Sequence, residues 1–290
     1  MGLREELLER CSFPPAGTRV TCAVSGGADS LSLLVLATAA GCDVTVVHVD
    51  HGIRSGSQQE AERVRAAAER YDARFRAEQV TVLPGPNLQA RARAARYGVL
   101  PADVLTGHTC DDLAETVVLN LLRGAGRPGL AGIRLTQRRP LLPLRRSETA
   151  ALCAEEGLEP LRDPTNHDRA HRRTRVRKEV LPLLDDVAGR DVVPVIARVA
   201  DVMGAESDLL DRLAASLDPT DAAALRDAEP ALARRALRAW LWRGMGGDHP
   251  VDLAAVDRVL AVACLEARGT DVQDGWRVVR SEGRLHLDRA

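Results

Sequence analysis

Two clusters of residues have the types and spacing to do chemistry. The first is Ser25-Gly26-Gly27-Ala28-Asp29-Ser30. Paired glycines let backbone N–H groups approach an anion, and a helix beginning just after them turns its positive N-terminal end to the same point. Phosphate is the ligand this suits. Asp29 and Ser30 are placed to cap that helix, and Asp29 is also a candidate ligand for Mg2+ on the phosphates. No lysine follows the glycines and the spacing is not G-x-G-x-x-G, which excludes the two commonest phosphate-loop patterns. The second cluster is Asp112 and Glu115, within the stretch from Gly107 to Thr116. Three apart on a helix, they share one face near its N-terminus. In isolation the helix dipole explains such a pair; beside a nucleotide it suits a cation, either Mg2+ or an amine. His108, just before that helix, is a candidate donor to phosphate.

These residues need strands and helices to bring them together. Thr18 to Val24 predicts a buried strand, and Ser30 to Ala37 a buried helix closed near Gly41. Strands follow at Asp43–Val49, Phe75–Leu83 and Val104–Thr106. Helices are predicted at Ser57–Tyr71, opened by a capping box with Glu60, at Leu88–Tyr97 and from about Asp111 to Leu122. Alternating strands and helices predict an α/β fold with a doubly wound, mostly parallel sheet. Ligands of such sheets sit beyond the carboxyl ends of the strands, where both clusters fall. After Leu144 the pattern turns helical, with Ser147 opening a helix to about Glu156. Pro182 and the stretch from Asp185 to Arg190 suggest a boundary. The expected division is a catalytic domain at 1–186 and a smaller, mainly helical domain at 187–290, ending in a hairpin at Trp276–Arg280 and Arg284–Leu287.

The chain's 290 residues are enough for such a core, and no apolar run is long enough to span a membrane. The N-terminus lacks the pattern of a signal peptide. The six cysteines are scattered without a C-x-x-C pair, which suits a reducing cytoplasm and not a metal knuckle. The net charge of −1 conceals an asymmetry: seven arginines and no acidic residue lie between Arg123 and Arg146, and a denser basic run spans Arg169 to Lys178. Such runs suit RNA, with a solvated helix face as the plain alternative. Arg123, Arg127, Arg173, Arg175 and Arg177 are the candidate contacts.

The ordered blocks together resemble those of the tRNA(Ile)-lysidine synthetases, a branch of the ATP pyrophosphatases. They are S-G-G-A-D-S (25–30), H-V-D-H-G-I-R (48–54), A-R-A-A-R-Y (92–97), G-H-T-C-D-D-L-A-E-T (107–116), L-L-R-G-A-G (121–126), D-P-T-N-H-D (163–168) and R-T-R-V-R (173–177). The first is widespread among ATP pyrophosphatases; the L-L-R-G-A-G and D-P-T-N blocks are more specific. Thr109 stands where the family usually has a second histidine, Leu113 where a D-D-Q ends in Gln, and His171 and Thr174 where Tyr and Asn are usual. The chain is also expected to be a short form, without the further C-terminal domain of longer relatives.

The resemblance implies a PP-loop fold of the adenine nucleotide alpha hydrolase-like type. It implies ATP-dependent joining of L-lysine to C2 of the wobble cytidine (position 34) in CAU-anticodon tRNA(Ile), by way of an adenylated cytidine, with pyrophosphate and AMP released. ATP contacts would come from Ser25 to Ser30, His51 and His108, with Mg2+ at Asp29. Arg93, or Arg96 in its place, would stabilise the adenylate. Asp112 and Glu115 would hold the lysine ammonium, and one of them would take its proton. The enzyme would be cytoplasmic, without a membrane partner; a homodimer is compatible with the sequence. A tRNA sulfurtransferase would share the loop but needs sulfur-handling cysteines. A non-catalytic tRNA-binding protein would need neither the intact loop nor the carboxylate pair.

Overall fold

In the computed structural model, which describes residues 2–50, 57–81, 88–136, 138–161, 171–246 and 251–289, four parallel strands carry the glycine loop and the carboxylate helix. They are β1 (Arg19–Ala23), β2 (Asp43–Asp50), β3 (Arg74–Gln79) and β4 (Leu105–Thr106), in the order β3-β2-β1-β4. In β2, Val44, Val46, Val47 and His48 are all buried, as a parallel strand covered on both faces requires. The chain winds from β1 through β2 to β3 on one side, then returns to place β4 on the other. β1 and β4 therefore flank the topological switch point, the place where such sheets bind ligands.

Helix α1 (Leu3–Glu9), which the sequence pattern did not suggest, is anchored by the fully buried Leu7. Helix α2 (Ala28–Ala39) follows the loop and is buried at every residue from Ser30 to Ala37. The remaining helices of this part are α3 (Ser57–Arg70), α4 (Leu88–Val99), α5 (Cys110–Leu121), the short α6 (Arg127–Leu130) and α7 (Arg146–Glu155). α2 packs against α1, α7 and the sheet. The hydroxyl of buried Ser32 donates to Thr149 O at 2.9 Å, which satisfies a polar group inside the apolar layer.

The basic run enters α8 (Arg172–Arg175), a π-helical stretch at Val176–Val180 and α9 (Leu181–Ala188). Pro182 was expected to mark a boundary; it lies in the first turn of α9. A proline cannot donate to the carbonyl four residues back, and the helix widens just before it instead of stopping. Leu181, Val192 and Val193 bury against Cys110, Ala114 and Val118 of α5. That packing keeps the segment in the first of two compact units, Met1–Val202 and Met203–Ala290, so the division falls after the expected 186/187.

The long helix α10 (Val193–Ala214) runs across that division. The second unit continues with α11 (Ala222–Asp227), α12 (Pro230–Gly244) and α13 (Leu253–Ala263). Its core joins Leu237 and Leu241 to Val256, Val259 and Val262. The expected terminal hairpin is β6 (Trp276–Ser281) with β7 (Arg284–Arg289), and β5 (Gly269–Asp271) adds a third antiparallel strand. Glu282 and Gly283 both have positive φ, which a tight two-residue hairpin turn demands. Among the described residues, no helix is long and apolar enough to cross a membrane.

Candidate functional site

The glycine loop leaves β1 and turns into α2 at the switch point. Gly26 has φ +87°, and a side chain there would collide with Leu161, whose N–H donates to Gly26 O at 2.9 Å. Gly26 is therefore required by the fold itself. Gly27 differs, because among the described residues a Cβ at this position would meet only Ser25 Oγ, at 3.9 Å. Among the described residues, the space beside it is otherwise open. Ser30 Oγ receives the Ser25 N–H at 3.2 Å and donates to Gly27 O at 2.9 Å, which holds the loop closed on the helix start. Gly107, at the end of β4, passes so near α2 that a Cβ would lie 2.5 Å from Asp29 O. That close approach brings the two sequence clusters side by side. Next to it, His108 Nδ1 lies 2.8 Å from Thr106 Oγ1, which fixes the ring.

On α5, Asp112 is the third residue of the first turn, and its Oδ2 accepts the Thr109 N–H at 2.9 Å. Thr109, where a histidine was usual, is the fully buried N-cap residue of this helix. Glu115, one turn on, is completely buried. An isolated buried carboxylate is prohibitively costly, so it must be paired. Three guanidiniums surround it: Arg146 Nη1 at 3.0 Å, Arg173 Nε at 2.7 Å and Arg177 Nε at 2.6 Å. Arg146 and Arg173 also reach Asp112 Oδ1, at 3.0 and 3.3 Å. Burial pushes the Asp112 carboxyl up, but Arg146, Arg173 and the Thr109 N–H outweigh it and hold it below the usual range.

The first turn of α7 joins both clusters, a contribution that sequence reasoning missed. Arg146 Nε lies 3.6 Å from Asp29 Oδ2, and the Thr149 hydroxyl donates to Asp29 Oδ1. The Asp29 carboxyl is nevertheless pushed upward, because burial outweighs those two partners. Asp111 accepts the Arg146 backbone N–H at 2.8 Å and pairs with Arg145 at 3.1 Å, locking α7 to α5. The available signal was the acid-free arginine run ending at Arg146, which charge alone assigned to RNA.

Arg173 and Arg177, expected at an RNA surface, are turned onto Glu115. Their charge answers a buried carboxylate, and a polyanion would have to compete with it. Arg175 is exposed and pairs with Glu179 at 3.2 Å, one helical turn away. Arg123 and Arg127 are exposed on and after the L-L-R-G-A-G segment. His51, the D-P-T-N block and the side chain of Arg93 lie outside the described residues.

Among the described residues, no group of three or more His, Cys, Asp or Glu is arranged to hold a metal. Mg2+, however, is commonly held by one or two carboxylates with substrate phosphates supplying the rest. Asp29, in the first turn of α2 beside the loop, fits that lesser demand.

Residues 5–184 match the family model described as a PP-loop domain. The tRNA(Ile)-lysidine synthase of Nocardia farcinica (strain IFM 10152) is 41% identical over 300 residues, covering 96% of this chain and 94% of the relative. That of Mycobacterium tuberculosis (strain ATCC 25618 / H37Rv) is 42% identical over 260 residues, covering 82% and 79%. Among solved structures, the U34-tRNA thiolase NcsA from Methanococcus maripaludis with its 4Fe–4S cluster has a TM-score of 0.57 at 16% identity, covering 69% of this chain and 78% of that one. At that identity the likeness concerns the fold alone.

Proposed function

The chain belongs to the tRNA(Ile)-lysidine synthase family, and on that premise we propose how its own residues divide the work. The activity is ATP-dependent formation of lysidine in tRNA(Ile), by a ligase with a PP-loop domain. ATP first adenylates the C2 oxygen of the wobble cytidine in the CAU anticodon, and pyrophosphate leaves. The ε-amine of L-lysine then attacks C2, forming the C–N bond and expelling AMP.

The observation that carries this reading is the meeting of the glycine loop and the α5 carboxylates at the β1/β4 switch point. Loop N–H groups and the hydroxyls of Ser25 and Ser30 bind the departing pyrophosphate, with His108 as a further donor. The open side of Gly27 admits the phosphates, while Gly26 keeps the loop's shape. Asp29 would hold Mg2+, which when bound offsets negative charge on the phosphates. Arg93, or Arg96, stabilises the adenylate.

Asp112 and Glu115 form the ammonium site. The attacking amine must be neutral, so one of the two accepts its proton. Asp112 is the better placed, because it is partly open to solvent whereas Glu115 is enclosed by three arginines. Arg173 and Arg177 act here as supports for Glu115. Arg123, Arg127 and Arg175 face outward and suit tRNA phosphates. Mass analysis of nucleosides after incubation with CAU tRNA(Ile), ATP, Mg2+ and lysine tests the assignment. Lysidine is expected; its absence beside an active control enzyme would overturn it.

A further inference from the structure

The three carboxylates of the site belong to two elements, Asp29 to α2 and Asp112 and Glu115 to α5. Arg146 touches all of them. Its Nε lies 3.6 Å from Asp29, its Nη2 3.0 Å from Asp112 and its Nη1 3.0 Å from Glu115. Among the described carboxylates, Arg173 reaches the α5 pair and Arg177 is held by Glu115. Among the described residues of this cluster, three guanidiniums thus balance three carboxylates, and a charge-neutral cluster has little pull on a cationic substrate. Without Arg146, the other five groups carry one net negative charge, which one ammonium would neutralise.

The placement of Arg146 suits a group that can leave. Its side chain is 27% exposed, whereas Glu115 beneath it is 0% exposed. It projects from the first turn of α7 and already reaches the first turn of α2, where bound phosphate would offer it another anionic partner. Arg173 and Arg177 have no such reach, because neither contacts Asp29 among the described residues.

Building on the reading of Asp112 and Glu115 as the ammonium site, we propose that Arg146 is an internal counter-ion that stands in for the lysine ammonium and gates its entry. The guanidinium occupies the point where the carboxylates converge. Phosphate oxygens draw it aside, and the amine takes its place. The order of binding follows: nucleotide first, lysine second.

Equilibrium binding of lysine to the full-length protein without nucleotide tests this, comparing wild type with Arg146→Met and Arg146→Gln. Both neutral variants should bind lysine at least about tenfold more tightly than wild type, the scale of one charge-assisted contact. Norleucine, which keeps the α-ammonium but lacks the ε-ammonium, should gain nothing, and adding Asp112→Asn to Arg146→Met should remove the gain. Equal or weaker lysine binding by folded variants would overturn the proposal and make Arg146 a structural brace. If Arg146→Met does not fold, Arg146→Gln, which keeps a hydrogen-bond donor for Glu115, carries the comparison. In wild type alone, a non-hydrolysable ATP analogue should raise lysine affinity, and no rise would also overturn it. Lysidine formation by wild type is measured in parallel. Lysidine without any gain in the variants removes only the counter-ion, whereas a gain without lysidine removes the assigned reaction and leaves the displaceable cation.

Discussion

Glu115 in the first unit is fully buried among Arg146, Arg173 and Arg177, whereas Asp257 in the second meets Arg234 at 2.6 Å with both side chains more than two-fifths exposed. Both are carboxylate–guanidinium contacts, yet their surroundings give them opposite weight. Water screens the exposed pair and solvates either partner if the other is lost. Glu115 has no such recourse, so its charge depends on the arginines around it. In the second unit, stability comes instead from apolar burial around Leu237, Leu241 and Val256. The contrast separates charges kept for chemistry from charges that merely decorate a surface.

The most damaging way to probe the contrast is Glu115→Gln, which takes from Arg177 the carboxylate that holds it and leaves Arg146 and Arg173 to share Asp112. A loss of about 3–5 kcal/mol is expected in urea unfolding of the first unit. A loss under about 1 kcal/mol would mean that the arginines find other partners and that the two regions differ less than their burial implies. In the second unit, Leu237→Ala should approach the same scale, about 2–5 kcal/mol, through a cavity and not through charge. Added salt should leave that loss unchanged.

Asp112→Asn comes next, at about 1.5–3 kcal/mol, read as a roughly 10- to 150-fold weaker lysine dependence of lysidine formation. Pyrophosphate release without lysine should persist. If it stops as well, Asp112 belongs with the metal and not the amine.

The same variant has a pH signature. The folded carboxyl titrates below its unfolded value, so its contribution is full above the ordinary carboxylate range and is lost as pH falls through the folded value. Asp112→Asn should therefore cost most stability near neutrality and progressively less as pH falls below the ordinary carboxylate range. Asp29 has the opposite sign, because burial raises its carboxyl. Asp29→Asn should cost little stability near neutrality, and a large loss there would mean that the Thr149 and Arg146 contacts outweigh the cost of burial. Smallest of all, Arg234→Ala should change stability by about 0–1 kcal/mol, and less in high salt.

Much of the first unit was legible because its signals are local. The Gly-Gly turn, the β-branched run before it and the apolar run after it place β1, the loop and α2 within a residue or two. The three-residue spacing of Asp112 and Glu115 likewise puts them on one helical face wherever that helix packs. Segments with weaker local signals are less legible: no local pattern marks α1, the hairpin pattern omits β5, and Pro182 reads as a boundary where the helix in fact continues. Burial against distant residues decided two of these, through Leu7 for α1 and Leu181 for α9, whereas β5 is set by its antiparallel pairing with β6.

By itself, the sequence determined the phosphate loop, the α/β alternation, the carboxylate pair and the family blocks, since each depends on residues a few positions apart. Only the tertiary structure decided what the charges are for. Thr149 reaches Asp29 across 120 residues and Arg177 reaches Glu115 across 62. A basic run reads the same in sequence whether it faces RNA or a buried carboxylate. The fold makes the choice, because Glu115 is carried into the interior by the apolar face of α5, and a charge taken out of water must be met by opposite charge wherever the chain can supply it.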